Sequence, residues 1–323
     1  MHFLFKEDPL ILVTGVAGFI GYHVARKLCA LGEKVVGIDS VNDYYDPAMK
    51  AARLKNLEQE KNFSFFKMDL CDFSGLKDLF DRFDFDKICH LAAQAGVRYS
   101  LTNPFAYQKS NSEGFLNILE LARKNKVQNF VYASSSSVYG SNTKLPFSEG
   151  DRTDNPISLY AATKKANELV AHCYSHLYGI PCSGLRFFTV YGPWGRPDMA
   201  LFLFTKAILA GEPVEVYNEG RMKRNFTYID DIVEGVVIAL NSPVPYEIYN
   251  IGNSRAEELM DFIGEIEKNV GKKASIKYLP MQPGDVVTTV ADISKLQKLG
   301  YEPRTNIDKG IKNFVEWYRG YYK

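Results

Sequence analysis

The sequence predicts an α/β protein with a doubly wound parallel sheet and a smaller α/β lobe in its C-terminal part. Short apolar runs alternate with longer amphipathic stretches up to about residue 186, as strands and helices do in such sheets. The first run leads directly into a glycine-rich turn, which is typical of this fold class. With 323 residues, of which 46% are hydrophobic and 24% charged, the chain can bury a core of this size.

The first unit of the sheet has the pattern of a Rossmann-type dinucleotide site. Residues 10–13 form an apolar run, the motif Gly15-x-x-Gly18-x-x-Gly21 follows, and a helical stretch continues to about Leu31. Glycines allow a tight turn that brings a pyrophosphate to the helix N-terminus. Residues 33–38 predict the second strand, and Asp39 directly after it can accept hydrogen bonds from both ribose hydroxyls and repel a 2′-phosphate. A plain strand–helix turn would not need this acid, so the acid favours a dinucleotide site. Because its charge would repel the 2′-phosphate of NADP, we predict that the bound dinucleotide is NAD.

Four further strands are predicted before residue 187, at residues 63–67, 86–90, 129–133 and 182–185. Ligands of a parallel sheet lie at the carboxyl ends of its strands. Those ends carry Asp69 and Leu70, the small-residue stretch Leu91, Ala92 and Ala93, a run of serines at 134–137, and Arg186. Residues 42–61 interrupt the rhythm as an insertion that opens with a polar aromatic turn, and residues 104–126 predict one long helix.

A tyrosine and a lysine four residues apart form the candidate catalytic pair. Tyr160 and Lys164 share one face of a predicted helix that starts near Ser158. A free phenol, with a pKa of about 10, is a poor base at neutral pH, whereas a nearby ammonium favours the phenolate. Such a pair can act as a general acid/base, although most pairs with this spacing are a core tyrosine and a solvated lysine.

The chain beyond residue 187 predicts the smaller lobe. Helices are expected near residues 200–209, 230–240, 257–270 and 308–322, and strands near 214–217 and Tyr249. We assign residues 1–186 to the dinucleotide-binding domain, with residues 230–252 returning to it, and residues 187–229 and 253–323 to the second lobe.

Composition and charge argue against several classes of function. Lys and Arg number 39 against 38 Asp and Glu, without a basic block, so we expect no nucleic-acid partner. The longest apolar runs are too short to span a bilayer, and no signal peptide is predicted, so we expect no membrane association. The five cysteines are odd in number and lack a C-x-x-C pair, which favours reduced thiols in a cytoplasmic protein. We predict no metal site, because His172 and His176 lack an accompanying acid.

The glycine motif, Asp39, the serine run and the Tyr160–Lys164 pair, in this order, resemble the extended short-chain dehydrogenase/reductase family. Within it, five stretches are similar to those of the UDP-glucuronate 4-epimerases, which interconvert UDP-glucuronate and UDP-galacturonate. They lie at residues 42–46, 94–98, 134–140, 158–165 and 186–200. The resemblance implies an NAD-dependent enzyme with a UDP-sugar substrate, which the second lobe binds. It also implies a homodimer that pairs the long helix of residues 104–126 with the Tyr160 helix in a four-helix bundle.

The resemblance also implies roles for individual residues. Tyr160 is the base, Lys164 holds the nicotinamide ribose and lowers the Tyr160 pKa, Ser135 hydrogen-bonds the reacting hydroxyl, and Asn111 supports neighbouring backbone. The expected cofactor contacts are Gly15, Gly18, Phe19, Ile20, Gly21, Asp39, Asp69, Leu70, Leu91, Ala92, Ala93, Tyr160 and Lys164. The expected substrate contacts are Gln94, Arg98, Ser135, Ser136, Ser137, Thr189, Arg196, Arg224 and Asp285. Arg224 precedes Asn225 where relatives more often have Asp, and we expect a local change in hydrogen bonding there.

The sugar itself sets a further requirement. A 4-keto-glucuronate carries its carboxylate β to the ketone and can lose CO₂, so an epimerase must hold that carboxylate out of alignment with the carbonyl. Thr189 and Arg196 are our candidates for this, against the alternatives of a strand-end Thr and a surface Arg. The residues Ser135-Ser136-Ser137 lack the acids that related dehydratases and decarboxylases carry there. A 4-epimerase of a neutral UDP-hexose and a non-catalytic NAD-binding protein remain as alternatives.

Overall fold

The computed structural model describes residues 9–281 and 286–322. Within these ranges the strands are β1 (Leu10–Thr14), β2 (Lys34–Asp39), β3 (Phe63–Lys67), β4 (Lys87–His90), β5 (Asn129–Ser135), β6 (Cys182–Phe187), β7 (Thr189–Tyr191), β8 (Pro213–Tyr217), β9 (Lys223–Arg224), β10 (Phe226–Tyr228), β11 (Tyr246–Ile251), β12 (Glu257–Glu258) and β13 (Ser275–Leu279).

The α-helices of the same ranges are α1 (Phe19–Ala30), α2 (Pro47–Leu57), α3 (Phe73–Arg82), α4 (Tyr99–Thr102), α5 (Pro104–Tyr107), α6 (Gly114–Lys124), α7 (Leu159–Tyr178), α8 (Ala200–Ala210), α9 (Ile229–Asn241), α10 (Leu259–Val270), α11 (Ser294–Gln297) and α12 (Ile307–Tyr321). A π-helical segment, Gln108–Glu113, joins α5 to α6, and 3₁₀ turns lie at Ser136–Tyr139 and Asn218–Gly220. None of the helices in the described part of the chain has the length and apolar character needed to cross a membrane.

The predicted parallel sheet is present and has seven strands in the order β11-β6-β5-β4-β1-β2-β3. All of its neighbouring pairs are parallel. The strand order reverses between β1 and β4, and a crevice forms at such a reversal because the connections leave in opposite directions. The fold therefore places a ligand site where the glycine turn after β1 meets the small residues after β4.

Both faces of the sheet are buried, as the doubly wound class requires. Successive side chains of a strand face opposite ways, so Ile11 and Val13 join one apolar cluster while Leu12 joins the other. Helices α1 and α9 contribute to the first cluster, and α3, α6 and α7 to the second. This double burial explains why the first strand is an uninterrupted apolar run in the sequence.

Several strands and helices differ in their ends from the predicted elements. β5 runs to Ser135, two residues further than expected, because it stays paired with β6 as far as Phe187. The long helix expected at residues 104–126 is divided by its π-helical segment, and α3 was not predicted. The strand expected near Tyr249 is β11, which pairs with β6 and completes the central sheet. The assignment of whole lobes to cofactor and sugar stays a prediction.

The remainder of the C-terminal part is a smaller α/β assembly. Two short parallel pairs, β7 with β10 and β8 with β13, and one antiparallel pair, β9 with β12, pack with α8, α10 and α12. The rings of Phe226 and Phe262 stack with their centroids 3.8 Å apart, and thereby join β10 to α10. The expected helix at 257–270 starts at Leu259 because the preceding two residues form β12.

Candidate active site

A cavity of about 580 Å³ opens along the carboxyl ends of the central strands. Every residue proposed above for the cofactor lines it, and so do Gln94, Ser135, Ser136, Ser137, Tyr160, Lys164, Thr189 and Arg196. These side chains come from both the main sheet and the start of the second lobe. The fold thus brings most of the predicted site into one space.

The glycine turn after β1 lies so close to the segment that follows β4 that side chains on its glycines cannot fit. Gly15 has a φ of +78°, and a Cβ there would lie 2.8 Å from the Ala92 nitrogen. A Cβ on Gly21 would lie 2.1 Å from the Gly15 oxygen. Gly18 is the N-cap of α1 and offers no capping side chain, so the first N–H groups of the helix stay available to an anion.

Asp39 stands at the end of β2 with its carboxylate beside the glycine turn. Its two oxygens accept hydrogen bonds from the backbone N–H groups of Ala17, at 3.1 Å, and Val41, at 2.8 Å. Burial raises the Asp39 pKa, while those two N–H groups and the nearby ammonium of Lys50 oppose that effect. The acid is therefore fixed in direction by backbone bonds, with its remaining lone pairs open to further donors.

The catalytic candidates meet where α7 begins and β5 ends. The Ser158 side chain caps α7 by accepting a hydrogen bond from Ala161 N at 3.1 Å, which confirms the predicted helix start. Lys164 donates from Nζ to the Ala133 carbonyl at 2.8 Å. The Ser135 hydroxyl hydrogen-bonds Tyr160 and lies 3.1 Å from Ser137 Oγ. A phenol, a hydroxyl and an ammonium thus share one wall of the cavity.

The electrostatics of this group include a cation that the sequence did not indicate. Burial raises the Tyr160 pKa, and the hydrogen bond with Ser135 and the positive charge of Arg196 work against that rise. We expected the ammonium of Lys164 to lower the Tyr160 pKa. In this structure Lys164 faces the Ala133 carbonyl, and burial lowers its own pKa to about 8, so its effect on Tyr160 stays a prediction. The Arg196 guanidinium is a cation near Tyr160 that also favours the phenolate.

A buried ion pair one turn after Lys164 ties α7 to the sheet. Arg186 Nε and Nη2 each donate to one carboxylate oxygen of Glu168 at 2.8 Å, and both side chains are at most 3% exposed. Ser134 donates to the same carboxylate at 2.7 Å. Burial raises the Glu168 pKa, but the Arg186 bonds outweigh it and hold that pKa below its usual range. The serine run and the catalytic helix are therefore joined through one carboxylate.

Asn111 supports the backbone next to the small-residue stretch, as the resemblance implied. Its Oδ1 accepts from Gln94 N at 2.8 Å, and its Nδ2 donates to Gln94 O at 3.0 Å and to Thr163 Oγ1 at 3.1 Å. The residue is buried and lies in the π-helical segment. A π-bulge turns side chains out of the ordinary helical register, and such bulges are frequent at functional sites.

Two residues that sequence reasoning missed hold Arg196. Asp198 pairs with both Nε and Nη2 of Arg196, and the Tyr44 hydroxyl donates to Asp198 Oδ2 at 3.1 Å. Tyr44 belongs to the insertion in the nucleotide-binding part, 154 positions before Asp198. The contact could not be found from local spacing. The polar aromatic turn at residues 42–47 was its one visible signal.

Arg53 and His23 were also missed, and both reach the loop that carries Arg196. Arg53 is fully buried; its Nη1 donates to Ala17 O at 2.7 Å and its Nη2 to Trp194 O at 2.6 Å. His23 donates from Nε2 to Pro193 O at 2.9 Å, and burial lowers its pKa to about 4, so the ring is neutral. The glycine turn and this loop are therefore fixed to each other by side-chain bonds to backbone carbonyls.

Comparison with known proteins places the chain in a family. The model of the NAD dependent epimerase/dehydratase family matches residues 11–252. The chain belongs to this family. An uncharacterized 37.6 kDa protein of Escherichia coli O111:H- is 55% identical over 97% of this chain and 99% of its own length. UDP-glucuronate 4-epimerase 4 of Arabidopsis thaliana is 48% identical over 97% of this chain and 76% of its own length.

A solved structure of the family agrees with the fold. The UDP-glucuronic acid 4-epimerase from Bacillus cereus, crystallised with UDP-glucuronic acid and NAD, superposes with a TM-score of 0.90 at 35% identity. The match covers 97% of this chain and all of that one. The fold class predicted from the sequence is therefore confirmed.

Three predicted substrate residues lie elsewhere or are not described. Arg98 is exposed, with its guanidinium 5.3 Å from the centre of the Tyr217 ring. Arg224 donates from Nη1 to the carbonyls of Lys223 and Val287. Neither is among the residues that line the large cavity, and Asp285 lies outside the described residues. Their roles stay predictions for this member of the family.

Replacing Lys164 with methionine should stabilise the fold of NAD-free protein, because burial makes the charged form of this lysine costly. We expect the free energy of unfolding at pH 7 to rise by about 1–3 kcal/mol. The folded pKa of about 8 is below the ordinary value of 10.5, so the cost is complete below pH 8 and shrinks as the pH rises from 8 to 10.5. Urea titrations at pH 7 and pH 9.5 measure the difference.

The control for this experiment is Lys165→Met on the same helix. The Lys165 ammonium lies 3.4 Å from Glu168, so its loss should give no gain in stability. Two results would contradict the lowered pKa of Lys164. One is a Lys164→Met variant that is no more stable than the wild type at pH 7, and the other is a gain in stability that is the same at both pH values.

Proposed function

We propose that this chain catalyses the NAD-dependent 4-epimerisation of UDP-glucuronate to UDP-galacturonate. One observation carries the proposal: Tyr160, Ser135 and Lys164 line the same cavity as the glycine turn, and Arg196 lies beside them. An acid/base, a dinucleotide-binding turn and a receptor for a carboxylate therefore share one space. The relatives from A. thaliana and B. cereus carry the name of this activity.

The residues present fit an NAD molecule. The close approach of Gly15 to Ala92 leaves room that a Cβ would fill, and the uncapped N-terminus of α1 suits a pyrophosphate. Asp39 would accept bonds from the adenosine ribose hydroxyls, and Asp69 and Leu70 would flank the adenine. Lys164 would bind the nicotinamide ribose. When bound, NAD supplies reversible hydride transfer at C4 of the sugar.

Tyr160 performs the proton transfers in this proposal. Its phenolate removes the proton of the C4 hydroxyl, which Ser135 holds by a hydrogen bond, as C4 gives up its hydride. The resulting 4-keto sugar rotates in the cavity and presents its other face. Tyr160 then returns the proton to the oxygen when C4 regains the hydride. The charge of Arg196 favours the phenolate that starts the cycle.

Arg196 and Thr189 control the fate of the 4-keto sugar. Both line the cavity, and together they offer a planar cationic fork and a hydroxyl to the C6 carboxylate. Holding that carboxylate keeps the C5–C6 bond away from alignment with the carbonyl π system, so CO₂ is retained. Ser136 and Ser137 bring no acid near C5 or C6, which leaves elimination without a catalyst. Gln94 completes this wall. Arg224 would bind the diphosphate and Asp285 the nucleotide, and Arg98 stays an expected substrate contact.

A 4-epimerase of a neutral UDP-hexose is the second candidate, because the fold and the acid/base would serve it equally well. Arg196 in the cavity favours the acidic sugar, since a carboxylate can form an ionic bond with this guanidinium and a neutral hexose cannot. A non-catalytic NAD-binding protein would have no use for the Tyr160–Ser135 contact. Assaying UDP-glucuronate beside UDP-glucose separates the three.

Purified protein should convert UDP-glucuronate to UDP-galacturonate without added NAD, because the cofactor is regenerated in each cycle. Tyr160→Phe should lower kcat by about 10³-fold, since general acid/base catalysis contributes on that scale. NMR of the sugar anomeric protons measures the conversion. Tyr174→Phe on the outer part of α7 is the matched control and should keep full activity. An active Tyr160→Phe variant would disprove the assigned base.

Arg196→Ala should weaken UDP-glucuronate recognition by about 30-fold or more, because an ionic partner of the carboxylate is lost. It should also allow a measurable fraction of turnovers to end in CO₂. The KM and the release of labelled CO₂ are the measurements. Normal binding and epimerisation by this variant, with no CO₂ release, would refute the proposed role of Arg196.

We further propose that the chain forms a homodimer through α4 to α7. Large apolar side chains are exposed there, at Leu101 (63%), Phe105 (79%), Leu116 (43%), Leu169 (57%) and Leu177 (65%). α6 and α7 pack side by side, so two copies would build a four-helix bundle.

All five cysteines are free thiols, which supports a reducing, cytoplasmic location.

Leu169→Glu should convert a dimer into a monomer, because it places a charge in the centre of the apolar face. Sedimentation velocity at micromolar concentration measures the change. Leu203→Glu is the control, since Leu203 is 45% exposed on α8 and lies outside this face. A wild-type monomer, or a Leu169→Glu dimer, would contradict the proposed interface.

A further inference from the structure

The guanidinium of Arg196 is held by a carboxylate before any substrate is considered. Its Nε donates to Asp198 Oδ1 at 3.0 Å and its Nη2 to Asp198 Oδ2 at 2.5 Å. A bidentate pair of this kind fixes both the position and the plane of the guanidinium. Asp198 uses the Nε and Nη2 side of the group, so Nη1 is on the side that this pair leaves unused.

Asp198 is fixed in turn from the other part of the molecule. Its Oδ2 accepts a hydrogen bond from the Tyr44 hydroxyl at 3.1 Å. The Tyr44 ring packs against Tyr99, with centroids 4.9 Å apart, and Tyr45, at 6.0 Å. Arg196 also lies 5.9 Å from the centre of the Tyr44 ring. Two lobes therefore contribute to the placement of one guanidinium.

The backbone at Ala95 and Gly96, just after the small-residue stretch, leaves room for the contact between Tyr44 and Asp198. Gly96 has a φ of +99°, and a Cβ there would lie 2.8 Å from the Tyr44 hydroxyl and 3.6 Å from Arg196 Nη2. Any side chain at position 96 would therefore enter the space that the Tyr44 hydroxyl occupies. Tyr107 fixes this backbone by donating from its hydroxyl to the carbonyl of Ala95 at 2.9 Å.

We propose that Tyr44 and Asp198 are positioning residues that fix the direction of Arg196 and so make the site selective for a sugar that bears a carboxylate. This inference rests on the proposed function. An anchored guanidinium loses less side-chain freedom when a carboxylate binds, and it accepts that carboxylate in one orientation. The same orientation keeps CO₂ in the 4-keto sugar. A neutral sugar forms no ion pair with Arg196 and gains nothing from the anchoring.

Asp198 could instead compete with the substrate carboxylate for Arg196. The two readings make opposite forecasts for Asp198→Asn, which keeps the size of the side chain and removes its charge. An amide accepts through one oxygen only, so a positioning Asp198 would lose its two-point hold on Arg196. A competing Asp198 would release Arg196 and strengthen binding of the uronate.

The experiment compares Tyr44→Phe and Asp198→Asn with Tyr99→Phe and the wild type. The Tyr99 hydroxyl accepts from Asn103 at 2.8 Å, so Tyr99→Phe alters the same aromatic group without touching Asp198. Calorimetry gives the affinities for UDP, UDP-glucose and UDP-glucuronate, and turnover assays give the KM, the kcat and the fraction of turnovers that release CO₂.

We expect the KM for UDP-glucuronate to rise about three- to tenfold in Tyr44→Phe and at least tenfold in Asp198→Asn, with smaller changes in kcat. The fraction of CO₂ released should rise in both, while the affinity for UDP and UDP-glucose and all values for Tyr99→Phe stay within about twofold of the wild type. Rescue of CO₂ retention by the conservative Asp198→Glu, at least in part, would support a role through Arg196.

Unchanged KM and CO₂ release in both variants would overturn the inference, and so would a tighter affinity of Asp198→Asn for UDP-glucuronate. A wild type that does not turn over UDP-glucuronate would refute the proposed function without testing the positioning role. In that case the affinities from calorimetry still test the positioning role. Loss of the preference for UDP-glucuronate over UDP-glucose in the two variants would support this role, and absence of that preference in the wild type would refute it.

Discussion

The geometry of the site depends on the buried ion pair between Glu168 and Arg186. It joins the helix that carries Tyr160 and Lys164 to the sheet strand next to the serine run, and Ser134 shares the same carboxylate. Removing one member of a buried pair leaves the other charge without compensation, at a cost of about 3–5 kcal/mol. One carboxylate therefore holds the helix of Tyr160 against the strand that ends at Ser135.

A second set of contacts connects the glycine turn to the loop that carries Arg196. The insertion and α1 send Tyr44, Arg53 and His23 to the loop at residues 193–198, and Arg53 also holds the glycine turn. Arg53 neutralises no carboxylate in these contacts; it satisfies backbone carbonyls that would otherwise be buried without donors. The loop that carries Arg196 is thus bonded to the same side chain as the glycine turn, although the two segments are far apart in the sequence.

Sequence reasoning succeeded where the chemistry lies within one or two turns of chain. The glycine motif followed by Asp39, and Tyr160 with Lys164, have spacings that only a few local structures can satisfy, and the structure places them as predicted. It failed where a contact joins distant segments. No sequence motif links Tyr44 to Asp198, which lie 154 positions apart. Arg53 lies in a Lys- and Arg-rich stretch, and such a stretch typically indicates a solvent-exposed helix face. The positive charge of Arg196 near Tyr160 was missed for the same reason, because Arg196 is 36 positions further along the chain.

The late position of β11 has a consequence for how the molecule is made. β6 pairs with β5 on one side and with β11 on the other, yet β11 follows β6 only after β7 to β10, α8 and α9. During synthesis on the ribosome, β6 therefore emerges with one row of backbone groups unpaired until residues 246–251 appear. Open strand edges of this kind recruit other chains. A nascent or truncated chain that ends before Tyr246 should thus be the form most in need of a chaperone.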